Sequence, residues 1–165
     1  MLPIDIDAAN AAFDDAVTKA QSADEAYLAL QTLARTIVGA KLFTVMTVDM
    51  EAGLARRAYT SDPENYPASG TKPIRYNDWF DIVHRERRYF VANTIADIAK
   101  VFPDYELIDS LGCQSVVNIP VVLRGVLVAT VNILDVEGHY TPERVSLIER
   151  HISIPAKLAC ALARS

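Results

Sequence analysis

The stretch CQSVVNIPVVLRGVLVATVNILDV, residues 113–136, decides how the rest of the chain is read. Its length and apolar content would suit a membrane span, but Asn118, Pro120, Arg124, Gly125 and Asn132 interrupt it every few positions. β-Branched residues dominate on both sides of Arg124-Gly125, and glycine supplies the positive φ of a two-residue hairpin turn. The stretch is two long strands, Cys113–Leu123 and Val126–Val136, in one hairpin. A two-residue turn sets Leu123 opposite Val126, and every cross-strand pair of residue numbers then has the same sum. On that register Asn118 and Pro120 share one face with aliphatic residues, while Cys113, Ser115, Thr130 and Asn132 share the other. An unpaired polar group costs roughly 1–3 kcal/mol to bury, so several on one face point to a cavity whose ligand or water satisfies them. The other reading is that Ser115, Thr130 and Asn132 bond to neighbouring backbone. A bulge in the hairpin would invert the faces.

Upstream, Leu42–Asp49 and Leu54–Thr60 flank a short MEAG connection and form a second hairpin. Two helices precede it. Ala9, Ala12, Phe13, Ala16 and Val17 have helical spacing within Ala8–Ala20. Ser22 and Glu25 form a capping box for a second helix, which Gly39 ends. Between the hairpins lies an excursion from the sheet: a Pro- and Gly-containing loop over 61–71, and a helix capped by Asn77. A short strand over Tyr89–Ala92 and two short helices, over Thr94–Val101 and from Asp104 to Gly112, complete it. Downstream, Thr141-Pro142 opens a long helix to about Ala163. Val145, Ile148, Ile152, Pro155, Ala159 and Leu162 form its seam, and Pro155 is expected to kink it. The seam is expected to pair with the Ala9–Val17 helix, within one chain or across two. No internal repeat is present.

At 165 residues, 51% hydrophobic and 22% charged, the chain reads as one domain with a substantial core. That domain is expected to span 1–165, with a core over about 24–163 and an N-terminal helix within 1–22. A net charge of −5, with no Lys/Arg run beyond Arg85, Arg87 and Arg88, argues against nucleic acid. Acidic Asp5 and Asp7 follow the start, unlike a signal or transit peptide, so a cytoplasmic protein without a membrane partner is expected. Cys113 and Cys160 lack CxxC spacing and are read as reduced thiols. His139 and His151 have no partner at metal-ligand spacing, and no metal or other cofactor is expected.

Helices, hairpin, excursion, long hairpin and closing helix make an α+β fold, with an antiparallel sheet between helical layers. Within that order, Leu111–Arg150 (LGCQSVVNIPVVLRGVLVATVNILDVEGHYTPERVSLIER) resembles the C-terminal half of GAF domains. There a Gly, Ser and Ile-Pro strand leads through a turn into a second strand and an aromatic-polar-x-acidic helix start. DWFDIVHRERRYFVAN, from Asp78 to Asn93, is similar to the family's helix-then-strand passage. The resemblance covers about residues 24–163 and implies a GAF/PAS-like sheet of five to six strands. It also implies a sensory, small-molecule-binding domain rather than an enzyme, acting through a partner or a homodimer built on the terminal helices. The Asn-Lys, Phe and Asp-Glu signature of cyclic-nucleotide-binding members is absent, and Cys113 is followed by Gln114 rather than by the His common after a bilin-bearing Cys. Neither ligand is implied. Alternatives are a thiol enzyme related to the free methionine sulfoxide reductases, resting on Cys113, and a ligand-free dimerisation scaffold.

Family members fold the excursion over the sheet as a lid, which places Trp79, Phe80, Val83 and Tyr89 over the polar sheet face; core packing is the competing role. Asn93 is expected either to hold a loop by side-chain-to-backbone bonds or to touch ligand. The candidate ligand-binding set is thus Trp79, Phe80, Val83, Tyr89, Asn93, Cys113, Ser115, Thr130 and Asn132. His84, beside Arg85 and Arg87, reads as a surface helix residue or as an anion partner titrating near neutrality. Asp78 and Asp81 read as first-turn acids complementing the helix dipole.

Overall fold

Strand β6 (Val126–Asp135) is the most central of the long strands, pairing with β1 (Leu42–Asp49) on one side and β5 (Ser115–Leu123) on the other. β2 (Leu54–Thr60) continues the sheet beyond β1, and β4 (Phe90–Ala92) beyond β5. A two-residue strand β3 (Lys72–Pro73), unforeseen in the sequence, closes the β2 edge, where proline's missing N–H is harmless. The order is β3-β2-β1-β6-β5-β4, antiparallel throughout and open at both edges. The computed structural model describes residues 3–165; Met1 and Leu2, which begin the segment read as the N-terminal helix, lie outside the described residues.

Helices α1 (Ile6–Lys19), α2 (Ala23–Ile37), α6 (Pro142–His151) and α7 (Ser153–Arg164) share one core with one face of the sheet, through Phe13, Leu30, Phe43, Val131, Ile148 and Ile152. The other face carries a smaller core of Leu42, Ala92, Ile98, Ile108, Val116 and Leu134. Short elements of the excursion close it: α3 (Asp78–Phe80), α4 (Ile95–Ala99) and α5 (Tyr105–Ser110). This is the α+β arrangement expected. No helix among the described residues is long and apolar enough to cross a membrane.

Local chemistry explains the element ends. Ser22 Oγ accepts the Glu25 N–H, while the Glu25 carboxylate takes the N–H of Gln21 rather than that of Ser22. Gly39, at φ +86°, ends α2 by donating to the Ala34 carbonyl. Thr141 caps α6 with Pro142 in its first turn.

Three expectations change. Arg124 and Gly125 do form a two-residue turn, both with positive φ (52° and 76°), but the register slips between Val121 and Val122. Leu123 faces Val126 and Val122 faces Leu127, whereas Val121 faces Ala129 and Ser115 faces Asp135, leaving Val128 as the extra residue of a bulge. Ser115 therefore shares a face with Val131 and Ile133, and Asn118, not Ser115, joins Thr130 and Asn132. Second, the long C-terminal helix is two helices broken at Ile152. Pro155 cannot donate to the His151 carbonyl four residues back, and its ring crowds that carbonyl. Third, the seam does not run to Leu162, which is 39% exposed, and both α1 and α7 pack against α2.

Candidate functional site

A row of polar side chains crosses the sheet face under the excursion. Thr44, Asn132 and Asn118 are successive cross-strand partners on β1, β6 and β5, which the antiparallel pleat points to one side. Trp79 Nε1 donates to Asn118 Oδ1 at 2.9 Å, Asn118 Nδ2 donates to Asn132 Oδ1 at 2.6 Å, and Asn132 Nδ2 donates to Thr44 Oγ1 at 3.1 Å. Three buried polar residues are thus satisfied by one another, and the chain ends by fixing the indole of the excursion to the sheet.

Two groups beside this row are not satisfied. Thr130 is fully buried and its Oγ1 has no hydrogen-bond partner. His84 is 6% exposed and neither ring nitrogen has a partner. The sequence reading put His84 on a helix surface; the backbone corrects it. After α3 the helix widens into a π-turn over Asp81–Arg85, with Glu86 N–H donating to Asp81 O at 2.9 Å. The wider turn rotates His84 inward, against the rings of Trp79 and Phe80 at centroid distances of 5.1 and 4.7 Å. Burial lowers its pKa to about 4, so the imidazole is neutral at pH 7.

Thr130 and His84 line a partly open cavity of about 290 Å³ between the sheet and the excursion. Apolar walls come from Met46, Phe102, Val116 and Leu134, and the far side, from β2, β3 and the residues that follow it, is basic: Arg57, Lys72 and Arg75. Among the described residues the single carboxylate on the lining is Asp104, at the start of α5. It stands at the N-cap position but makes no side-chain cap bond, and instead accepts the Tyr66 hydroxyl at 2.6 Å. Arg57 lies over the Tyr66 ring at 3.7 Å and donates to the Pro67 carbonyl. A larger hollow of about 350 Å³ between α1 and α2 is lined largely by alanines and threonines, with no unsatisfied buried polar group. It lacks the chemistry of the sheet cavity.

Of the residues singled out in the sequence, Trp79, Thr130 and Asn132 meet at the cavity. Phe80 is buried between Tyr76 and His84, backing the site rather than lining it, and Val83 is buried away from the lining. Tyr89 packs with the core on the helical side, opposite the lid. Ser115 donates to the Asp135 carbonyl at 3.1 Å, the backbone role left open above. Cys113 lies in the smaller core, its thiol pushed up to about 11 by burial and then by Asp135. Asn93 brackets Tyr140, donating to its carbonyl and accepting its N–H, both at 3.0 Å. It holds the turn before α6. The sequence reading missed Asn118, His84 and the Arg57–Tyr66–Asp104 cluster as site residues. A polar residue within VVNIPVV was the available signal for Asn118.

No protein-family model and no curated protein matches the sequence. Solved structures do match in three dimensions. The GAF domain of an Acinetobacter phosphoenolpyruvate-protein phosphotransferase superposes with a TM-score of 0.73 at 9% identity, over 99% of this chain and 97% of that one. A phycocyanobilin-bound GAF domain from a cyanobacterial phytochrome gives 0.70 at 11% identity, over 99% and 97%. The GAF domain of a two-component sensor histidine kinase from Bacillus halodurans gives 0.69 at 12%, over 88% and 97%. The chain has the GAF fold, as the resemblance of Leu111–Arg150 implied.

Proposed function

We propose that the chain is a sensory GAF domain that binds a small molecule in the cavity between the Asn118–Asn132–Thr44 row and the Trp79–His84 lid. The observation that carries this reading is the pair of buried, unpartnered groups, Thr130 Oγ1 and the His84 ring nitrogens, on the lining of one partly open cavity. Orphaned polar atoms destabilise a fold by roughly 1–3 kcal/mol each unless something else satisfies them. A ligand with both donors and acceptors would do so. The fold neighbours from a sensor histidine kinase and a phytochrome agree with a sensory role.

Binding rather than catalysis is further supported by Cys113. A thiol enzyme needs an accessible, low-pKa cysteine, whereas this thiol is fully buried and held protonated at neutral pH. Output would pass to a partner or a second copy, and α7 offers a surface for it: Ile154, Leu158 and Leu162 are exposed on successive turns. A thermal-shift panel of nucleotides, amino acids, purines and small acids tests the reading. Stabilisation by at least one class, reduced in Thr130→Val and His84→Phe, is the expected result. No stabilisation by any class would sink it.

A further inference from the structure

The register of the sheet places the basic and the unsatisfied parts of the cavity in one line. Arg57 on β2 faces Met46 on β1, and Met46 faces Thr130 on β6. Arg57 and Thr130 thus flank one methionine, about 10 Å apart, which is two strand spacings. Lys72 and Arg75 line the cavity beyond Arg57, and among the described residues neither has a carboxylate within ion-pair distance. Arg57 Nη2 forms an ion pair with Asp104 Oδ2 at 3.7 Å, the oxygen that also accepts the Tyr66 hydroxyl, so Arg57 is partly compensated while Lys72 and Arg75 are not. Arg57, Lys72 and Arg75 thus set three cations against one acid on the cavity face, in a chain whose net charge is −5. Such a concentration of one sign in a partly enclosed space raises the local concentration of the opposite one.

The other end differs in kind. Thr130 offers a hydroxyl donor and acceptor, and a neutral imidazole offers one donor and one acceptor. A charged group there would have no counter-ion, since the basic residues belong to the β2–β3 side. Size is the third constraint: 290 Å³ is the room of about ten water molecules, or about ten to fifteen covalently linked non-hydrogen atoms.

Resting on the cavity being a ligand site, we propose that the ligand is a compact organic acid laid across Met46. Its carboxylate meets Arg57, Lys72 and Arg75, and its uncharged hydrogen-bonding end meets Thr130 and His84. A cation meets the wrong field on the β2–β3 side.

The experiment is a binding series on the full chain, read by melting temperature and by titration calorimetry. The probes are 4-hydroxycinnamate, 4-hydroxyphenylacetate and 5-amino-5-oxopentanoate, each beside its methyl ester at equal millimolar concentration. Each acid carries a carboxylate at one end and a neutral donor–acceptor group at the other. At least one acid is expected to stabilise the protein, with its ester at least tenfold weaker. The double variant Lys72→Glu/Arg75→Glu, with both positions exposed and the unliganded melting temperature unchanged, is expected to bind that acid at least tenfold more weakly. Thr130→Val is expected to weaken acid and ester alike. Equal binding of acid and ester, or acid binding untouched by the charge reversal, would overturn the acid assignment and leave the cavity as a ligand site. Binding untouched by both variants would overturn the site as well, as would the absence of any response to acid or ester.

Discussion

His84 is neutral in the folded protein because protonation would place a charge among Trp79, Phe80 and the cavity wall with nothing to pair it. Its pKa of about 4 lies below the unfolded value of 6.5, so between those values the unfolded chain binds more protons than the folded one. Stability therefore falls as pH drops from 6.5 toward 4, by up to roughly 3 kcal/mol from this residue, and the loss levels off below the folded pKa. Thermal denaturation across that window should show this slope in the native protein and a much smaller one in His84→Phe. Identical slopes would mean that water or a conformational change solvates the ring. Asn118 is the second critical residue, because it links the lid to the sheet. Asn118→Ala strands the Trp79 N–H and the Asn132 carbonyl oxygen, and should destabilise the fold by about 2–4 kcal/mol in urea. Trp79 is the sole tryptophan, so its fluorescence should also shift to the red as the indole loosens. An unchanged spectrum would show that packing alone holds the lid. Trp79, Thr130 and Asn132 were legible in the sequence because polar and aromatic residues next to an apolar hairpin require an explanation. Asn118 and Ser115 exchanged places because one extra residue, Val128, shifts the pairing. Arg57 gave no signal, since a basic residue in a mixed strand reads as solvent-facing until the loop that covers it is placed.

At the scale of elements, joints rather than spans set the geometry. Gly39 and Gly125 both have positive φ, but only Gly39 is crowded: an added Cβ would come within 2.9 Å of His139 Nε2, and nothing lies within 4 Å at Gly125. His139 has little freedom to yield, because that nitrogen hydrogen-bonds the Val38 carbonyl at 2.6 Å. Gly125→Ala should lose about 1 kcal/mol from backbone strain, and Gly39→Ala about 2–4 kcal/mol from strain and clash together. Urea unfolding of the two variants separates the contributions, and equal losses would show that the α2–β1 joint relaxes freely. The helices and both long hairpins could be read from periodicity, caps and turn residues, since those signals are local. The π-turn, the bulge and β3 could not. The first two change hydrogen-bond partners by one residue and β3 is only two residues long, so the choice is made by what packs on either side. The Ile152 break is an intermediate case: Pro155 announced a distortion, but its steric effect falls on the preceding turn.

Taken as a whole, the molecule uses its sheet as a partition. Residues alternate along β6, so Thr130 and Asn132 line the cavity while Val131 and Ile133 enter the core beneath α6 and α7. A single strand thus separates the cavity from the C-terminal helices, and α7 presents Ile154, Leu158 and Leu162 on its outer side, 73%, 44% and 39% exposed. Residues four apart lie on one helical face, and three large aliphatic groups in a row form an apolar stripe that a symmetric pairing of two copies would cover. The opposite side of α7, with Ala156, Ala159 and Cys160, is already buried against the rest of the chain, so the stripe is not needed for folding. The double variant Ile154→Lys/Leu158→Lys should therefore keep its melting temperature within about 2 °C, because exposed substitutions away from packed contacts change stability by no more than about 0.5 kcal/mol. Sedimentation velocity at micromolar concentration should show a dimer for the native chain and a monomer for the variant. A native chain that sediments as a monomer would remove the dimer, and a variant that remains dimeric would move the interface away from α7.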